Sequence, residues 1–237
     1  MKPRLQSLLA AALCAALAMS CGSSSSKERT VEFSEKERTV ELSDGVAVDV
    51  IKTPQGLWFG KTEVTQAQWE AVMGANPSWF KGPDNPVENV SWDDCQEFLR
   101  RLNALPSVKA SGLTFRLPTA EEWEYACRAG ATGQFCKLAD GTEITEDTLG
   151  QVAWFEDNAD GKTHPVGQKE PNAFGLYDMH GNVWEWTSTA DGEDRVDRGG
   201  SWLYSGWNCK SSLRDGGSPV YRGNGLGFRL CASGKAD

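Results

Sequence analysis

Asn172-Ala173-Phe174-Gly175-Leu176-Tyr177-Asp178-Met179-His180-Gly181-Asn182-Val183-Trp184-Glu185-Trp186 decides how the rest of the chain is read. Its first part is dense in Gly, Asn and Asp, residues that tolerate turn backbone and bond to their own main chain. Its last residues alternate, so Trp184 and Trp186 fall on one face of a strand and Glu185 on the other. The expectation is that both indoles pack a core while Glu185 points away. A turn-rich run ending in a short aromatic strand argues for a loop-rich fold organised by large rings. The load of 10 tryptophans and 25 glycines in 237 residues agrees.

Working outward, no helical periodicity appears between Gly130 and Leu230, where short apolar pieces alternate with Gly, Asn, Asp and Pro. Upstream the signals are stronger. Val46 to Ile51 alternates as a strand, and Leu57-Trp58-Phe59 reads as another. Thr65-Gln66-Ala67-Gln68 has capping-box spacing, followed by Trp69, Val72 and Met73 at helical intervals until Gly74. Asn76 to Val87 is loop. Ser91-Trp92-Asp93-Asp94 opens the clearest helix, with Trp92, Cys95, Phe98, Leu99 and Leu102 on one face and Arg100 and Arg101 near its negative end. Phe115-Arg116-Leu117 is a short strand stopped by Pro118. Thr119-Ala120-Glu121-Glu122 caps a helix to about Ala129. The class is α+β, with two main helices, short strands and much irregular structure.

The beginning of the chain reads as an address. Lys2 and Arg4 precede an apolar run from Leu5 to Ala18, too short to span a bilayer comfortably. Ala18-Met19-Ser20-Cys21 resembles a bacterial lipobox, in which Cys21 becomes the acylated first residue. An ordinary signal peptide cleaved nearby is the alternative. Residues 1–20 are thus expected to be a lipoprotein signal, 21–45 a tether and 46–237 one domain, displayed at the outer membrane. Gly22 to Ser26 is a flexible spacer. Lys27-Glu28-Arg29-Thr30-Val31-Glu32-Phe33-Ser34 then returns as Lys36-Glu37-Arg38-Thr39-Val40-Glu41-Leu42-Ser43. Whether the second copy is tether or first strand stays open. A net charge of −9 argues against a nucleic-acid surface. Beyond Cys14 and Cys21, Cys95, Cys127, Cys136, Cys209 and Cys231 match no zinc spacing and fix no disulfide pairing.

Four motifs now stand in order. They are Glu63-Val64-Thr65-Gln66-Ala67-Gln68-Trp69, Pro86-Val87-Glu88-Asn89-Val90-Ser91-Trp92, Arg116-Leu117-Pro118-Thr119-Ala120-Glu121-Glu122-Trp123-Glu124-Tyr125-Ala126, and the opening stretch. With the closing Arg198-Gly199-Gly200-Ser201-Trp202 and Gly227-Phe228-Arg229-Leu230, they resemble the formylglycine-generating-enzyme family, and the resemblance implies its variant of the C-type lectin fold. The family's enzymes oxidise a sulfatase cysteine using copper held by two cysteines just after the Arg-Gly-Gly-Ser motif. Here that segment holds Cys209 alone, which resembles the family's structural cysteine. A residue near Tyr204 stands at the first catalytic position. His164 and His180 do not look like replacement ligands. A related iron-dependent branch carries an extra histidine-rich helical domain, for which no length remains. The resemblance also implies a calcium ion held by Asp178 and Glu185 with the carbonyls of Gly181 and Val183; the alternative is that the acids only cap the turn.

Between Trp202 and Gly227 the texture changes. Cys209, Arg214, Pro219 and Arg222 look like posts. Between the first of these lie Leu203, Tyr204, Ser205, Gly206, Trp207, Asn208 and Leu213. Later come Asp215, Gly216, Gly217, Ser218, Val220, Tyr221, Gly223, Asn224 and Gly225. This resembles the variable region, about residues 203–225, of proteins diversified by retroelements, where adenine-rich Asn codons are randomised. Such changes cannot yield Lys, Glu, Gln, Met or Trp, and none of these occurs from Ser211 to Leu226; Trp207 breaks the rule. Tyr204, Trp207 and Tyr221 would be aromatic anchors among adaptable neighbours. The expected function is binding of a protein or cell-surface ligand without catalysis. An oxidoreductase and a non-catalytic envelope protein are the alternatives.

Overall fold

Three capping boxes set the helices of the computed structural model, which describes residues 36–234. Thr65 starts α1 (Gln66–Met73), Ser91 starts α2 (Trp92–Leu102), and Thr119 starts α4 (Ala120–Arg128). Each hydroxyl accepts from the third helical amide while that residue's side chain returns to the cap. Between α2 and α4 lies α3 (Pro106–Ser111), which the sequence did not signal, so the described residues hold four α-helices where two main ones and the turn after Thr65 were expected. Its cap, Leu105, offers no side-chain oxygen, and the helix starts on Pro106 and stops at left-handed Gly112.

β1 (Glu37–Ser43), β2 (Val46–Lys52), β3 (Trp58–Gly60), β4 (Leu113–Arg116) and β11 (Cys231–Gly234) form an antiparallel sheet in the order β1-β2-β3-β11-β4. The last strand therefore lies between β3 and β4. The second copy of the duplication is β1, paired from Glu37↔Ile51 to Ser43↔Val46. The expected tether through residue 45 is corrected accordingly: Val40 and Leu42 are buried, and alternation had carried a real strand. The signal segment, Cys21, the spacer and the first copy lie outside the described residues.

A second sheet has the order β10-β7-β8-β9, from β7 (Trp184–Asp191), β8 (Asp194–Arg198), β9 (Asp215–Gly217) and β10 (Leu226–Phe228). β5 (Ala153–Trp154) and β6 (His180–Gly181) make a short parallel pair. The main core lies where the sheets meet α1 and α2. Trp69 stacks on Phe98 at 5.2 Å, and Phe228 meets Phe98 edge-on at 5.3 Å. Trp184 and Trp186 join this cluster as expected. Gly227 stands against Val87, where a Cβ would lie 2.3 Å from the Val87 carbonyl oxygen. Any side chain there would separate β10 from the loop.

Candidate ligand-binding surface

The base of the site is a buried polar knot, and it corrects the expectation for Glu185. That side chain does leave the main core, but it enters a second interior and is only 1% exposed. Arg229 lies beside it, with Nη2 donating to Glu185 Oε1 at 2.8 Å and Nε to Oε2 at 3.0 Å. Trp123 Nε1 donates to Oε2 at 2.6 Å. Arg229 also bonds the carbonyls of Gly60 and Tyr177, tying β3 and the Tyr177 turn to β7. Glu63 accepts from Asn182 and from the Val183 amide, and burial pushes its carboxyl well up. Asp178 accepts from the Gly167 amide at 2.7 Å, and burial raises its carboxyl to about 6.

The calcium expectation does not fit this arrangement. Glu185 is satisfied by a guanidinium and an indole, and an ion there would displace Arg229 or sit beside its charge. Asp178 Oδ1 is buried without a partner. Asp178, Gly181 and Val183 lie in the turn, while Glu185 stands on β7 against Arg229 and Trp123. Left-handed Asp178 and Asn182 flank Gly181, where a Cβ would lie 2.1 Å from the Trp154 carbonyl oxygen.

Above this base runs the segment from Gly199 to Gly225. Gly200 has φ 78°, and a Cβ on it would lie 2.7 Å from Cys209 Sγ, so the Gly-Gly turn is pressed onto the post at Cys209. Arg198 Nη1 donates to the carbonyls of Ser211 (3.2 Å) and Leu213 (3.0 Å), and its Nη2 donates to Glu124 at 3.0 Å. Arg222 makes a two-pronged bond to Asp94 at 2.7 and 2.8 Å. The Pro219 and Gly223 carbonyls accept from Asp93 and Asn89. Trp202 Nε1 donates to the Asn224 carbonyl and the Trp184 amide to that of Gly225. The loops are thus bonded at short intervals to α2, α4 and β7. Of the expected posts, Cys209 is buried and Arg222 is ion-paired, whereas Arg214 is exposed.

Held this way, Leu203, Tyr204, Trp207, Val220 and Tyr221 remain between 41% and 62% exposed. Five large apolar side chains are thus exposed on one set of loops, more than a scatter of single surface residues accounts for. Ser205, Asp215, Gly216 and Ser218 are also exposed; Asn208, Leu213, Gly217, Gly223, Asn224 and Gly225 are half-buried. Gly206, expected on the variable surface, is instead buried, and a Cβ there would lie 2.8 Å from Leu149 Cδ2, so a side chain would have to press that leucine aside. Leu213 packs against the main core. At Gly216 a Cβ would meet the Arg195 carbonyl oxygen at 2.8 Å. Lys210 Nζ sits 3.0 Å over the Trp207 ring and holds it outward.

A cavity of ≈260 Å³ opens among Trp184, Leu203, Tyr204, Tyr221 and Leu226. Its wall includes Asp197, which the sequence did not single out. Asp197 is 6% exposed, and its Oδ1 is buried without a hydrogen bond. Burial and the neighbouring Asp215 push its carboxyl up to about 8. Only the pairing of β8 with β9 reveals it, because Asp-Gly-Gly gives no strand signal.

The cysteines are placed for packing. All five in the described residues are free and buried. Burial pushes the Cys209 thiol up to about 12, so it is not a ready thiolate, and residues 199–227 hold no second cysteine. Tyr204 occupies the surface nearby. His180 is used inside the fold: its Nε2 accepts from the Cys136 amide, and Nδ1 donates to the Cys209 carbonyl at 2.7 Å. Burial lowers its pKa to about 4. His164 stacks on Trp154 at 3.9 Å.

This geometry defines a C-type lectin fold of the formylglycine-generating type, with a framed loop surface at its C-terminal end. The chain belongs to the family of the sulfatase-modifying factor enzyme 1-like domain, which matches residues 19–233. Among solved structures it is similar to Treponema denticola variable protein 1, with a TM-score of 0.72, 29% identity, and 82% of this chain and 98% of that one covered. It is 33% identical to the chaperone protein LppX of Paenibacillus barcinonensis, over 65% of this chain and 71% of that protein. It is also 33% identical to the inactive C-alpha-formylglycine-generating enzyme 2 of Bos taurus. That match covers 75% of this chain, and the chain spans 59% of that relative's length.

Proposed function

We propose that this chain is a lipid-anchored surface protein that binds a protein ligand through its C-terminal loops and carries out no catalysis. The observation that carries the reading is the exposed group of Leu203, Tyr204, Trp207, Val220 and Tyr221 on loops bonded to rigid elements. Side chains on such loops can change without unfolding the domain. The enzymatic alternative needs two accessible thiolates in this segment, and Cys209 is alone and buried. Likeness to a variable protein supports diversification by a retroelement, and a relative named as a chaperone protein supports a protein as the ligand. The Cys21 lipobox supports anchoring at the bacterial outer membrane.

A photoreactive amino acid placed at Trp207 or Tyr221 in the producing cell tests the reading. It should yield a discrete protein adduct that is absent when the probe stands at exposed Glu70 on α1. No adduct specific to the loop positions, or conversion of a sulfatase-motif cysteine peptide by the purified chain, would overturn it. For diversification, a reverse transcriptase gene and an adenine-rich near-copy of the last coding segment should lie beside this gene. A complete genome without them removes that part of the proposal.

A further inference from the structure

We propose that the cavity at the centre of this surface receives a positively charged side chain, a lysine or arginine of the protein partner, against Asp197 and Asp215. The inference rests on the ligand-binding reading of the loops and adds the chemistry that they grip.

Asp197 on β8 stands directly opposite Asp215 on β9. Directly paired residues of antiparallel strands share a face, with Cβ atoms about 5 Å apart, and like charges there repel. No lysine or arginine lines the cavity; Arg214 lies outside it, lining the adjoining depression with Asp215, Asp191 and Asp194. Asp215 Oδ1 accepts only from the neighbouring Gly216 amide, and the buried Asp197 Oδ1 accepts from nothing. A buried carboxylate oxygen without a donor is a cost the fold would shed if nothing used it. The other walls suit a cation. The rings of Trp184, Tyr204 and Tyr221 attract one over their faces, and Leu203 and Leu226 match the methylene stem behind it. At ≈260 Å³ the space lies below the roughly 300–1,000 Å³ of pockets for drug-sized ligands, which favours one inserted side chain.

Proton and cation compete for the same place. The ionisable groups lining the cavity are Asp197, Asp215, Tyr204 and Tyr221. On β8 itself, Arg198 turns to Glu124 and Arg195 lies over the Trp92 ring. With Asp197 pushed up to about 8, the empty site holds a proton at neutral pH that an arriving cation must displace. Binding therefore strengthens as pH rises from 6 to 8 and levels off above.

The test titrates the purified full chain in detergent with Nα-acetyl-lysine N-methylamide, its arginine counterpart, and the neutral norleucine analogue. The cationic probes should bind about tenfold or more tightly than norleucine, and about fifty-fold more tightly at pH 8 than at pH 6. Asp197→Asn should abolish both differences while its thermal melt stays at or above wild type, which separates a binding role from a structural one. Asp215→Asn, at an exposed position, should weaken the cationic probes without touching the fold. Equal binding of norleucine, no binding of any probe, or unchanged affinity in Asp197→Asn would overturn the inference. Failure of the wider reading looks different: cationic probes would bind as expected, yet photoprobes at Trp207 and Tyr221 would capture no partner. Conversely, a partner captured equally well by Asp197→Asn would sink the cation and leave the surface.

Discussion

Glu185 and Arg229 are both within 1% of full burial, and their pairing joins β7, β3 and the Tyr177 turn. Removing one partner strands the other charge in the interior. Glu185→Ala should therefore cost about 3–5 kcal/mol in urea unfolding. Glu185→Gln, which keeps an acceptor for Trp123, should cost less. Asp197 acts in the opposite sense. Its folded pKa of about 8 lies above the ordinary value of 3.8, so the folded state holds the extra proton between these values. Its contribution to stability is present below pH 4 and is lost as pH rises through 8. Thermal melts of Asp197→Asn should show a higher midpoint at pH 8 than wild type and a shallower decline from pH 5 to 8; Glu63 and Asp178 maintain part of that decline. A lower midpoint at pH 8 would show that Asp197 holds the strands together. Neither role was legible locally. Alternation placed Glu185 opposite the tryptophans, but only the return of Arg229 from β10's far end makes that side an interior.

Elements with their own punctuation were legible: Thr65, Ser91 and Thr119 announce α1, α2 and α4 through oxygens the backbone needs. α3 lacks such an oxygen, and β9 consists of Asp215, Gly216 and Gly217, whose strand state comes from pairing with β8. Their absence from the sequence reading has that physical cause. Thr119→Ala should lower stability by about 1 kcal/mol in chemical denaturation. Arg222→Ala breaks a half-exposed pair with Asp94 and should change global stability by well under about 1 kcal/mol. Its effect should appear in hydrogen exchange: amides from 218 to 225 should exchange faster while those of α2 stay protected. Equal exchange in both proteins would mean that the Asn89 and Asp93 bonds hold the loop without Arg222.

At the scale of the whole molecule, the ordered motifs identified the family because each occupies a structural corner. Arg116 to Ala126 carries the cap of α4, Gly227 closes β10 on the loop at Val87, and Gly199-Gly200 presses onto Cys209. The surface was legible as a segment but not residue by residue. Periodicity cannot show that Gly206 is packed under Leu149 while Trp207 beside it faces outward. The proposed lipid anchor is tested on the whole molecule too: Cys21→Ser should release the protein from the membrane fraction, and globomycin should block its processing. The proposed function requires a fixed frame that presents loops for binding at the place where the family's enzymes are expected to hold reactive cysteines. A substitution scan across residues 199–227, scored both for protease-resistant folding and for capture of the crosslinked partner, tests it most directly. Changes at Leu203, Tyr204, Trp207, Val220 and Tyr221 should leave folding intact and alter capture, whereas changes at Gly200, Cys209 and Gly227 should abolish folding. Capture unchanged across the exposed positions, or folding as sensitive there as at the buried ones, would contradict the account.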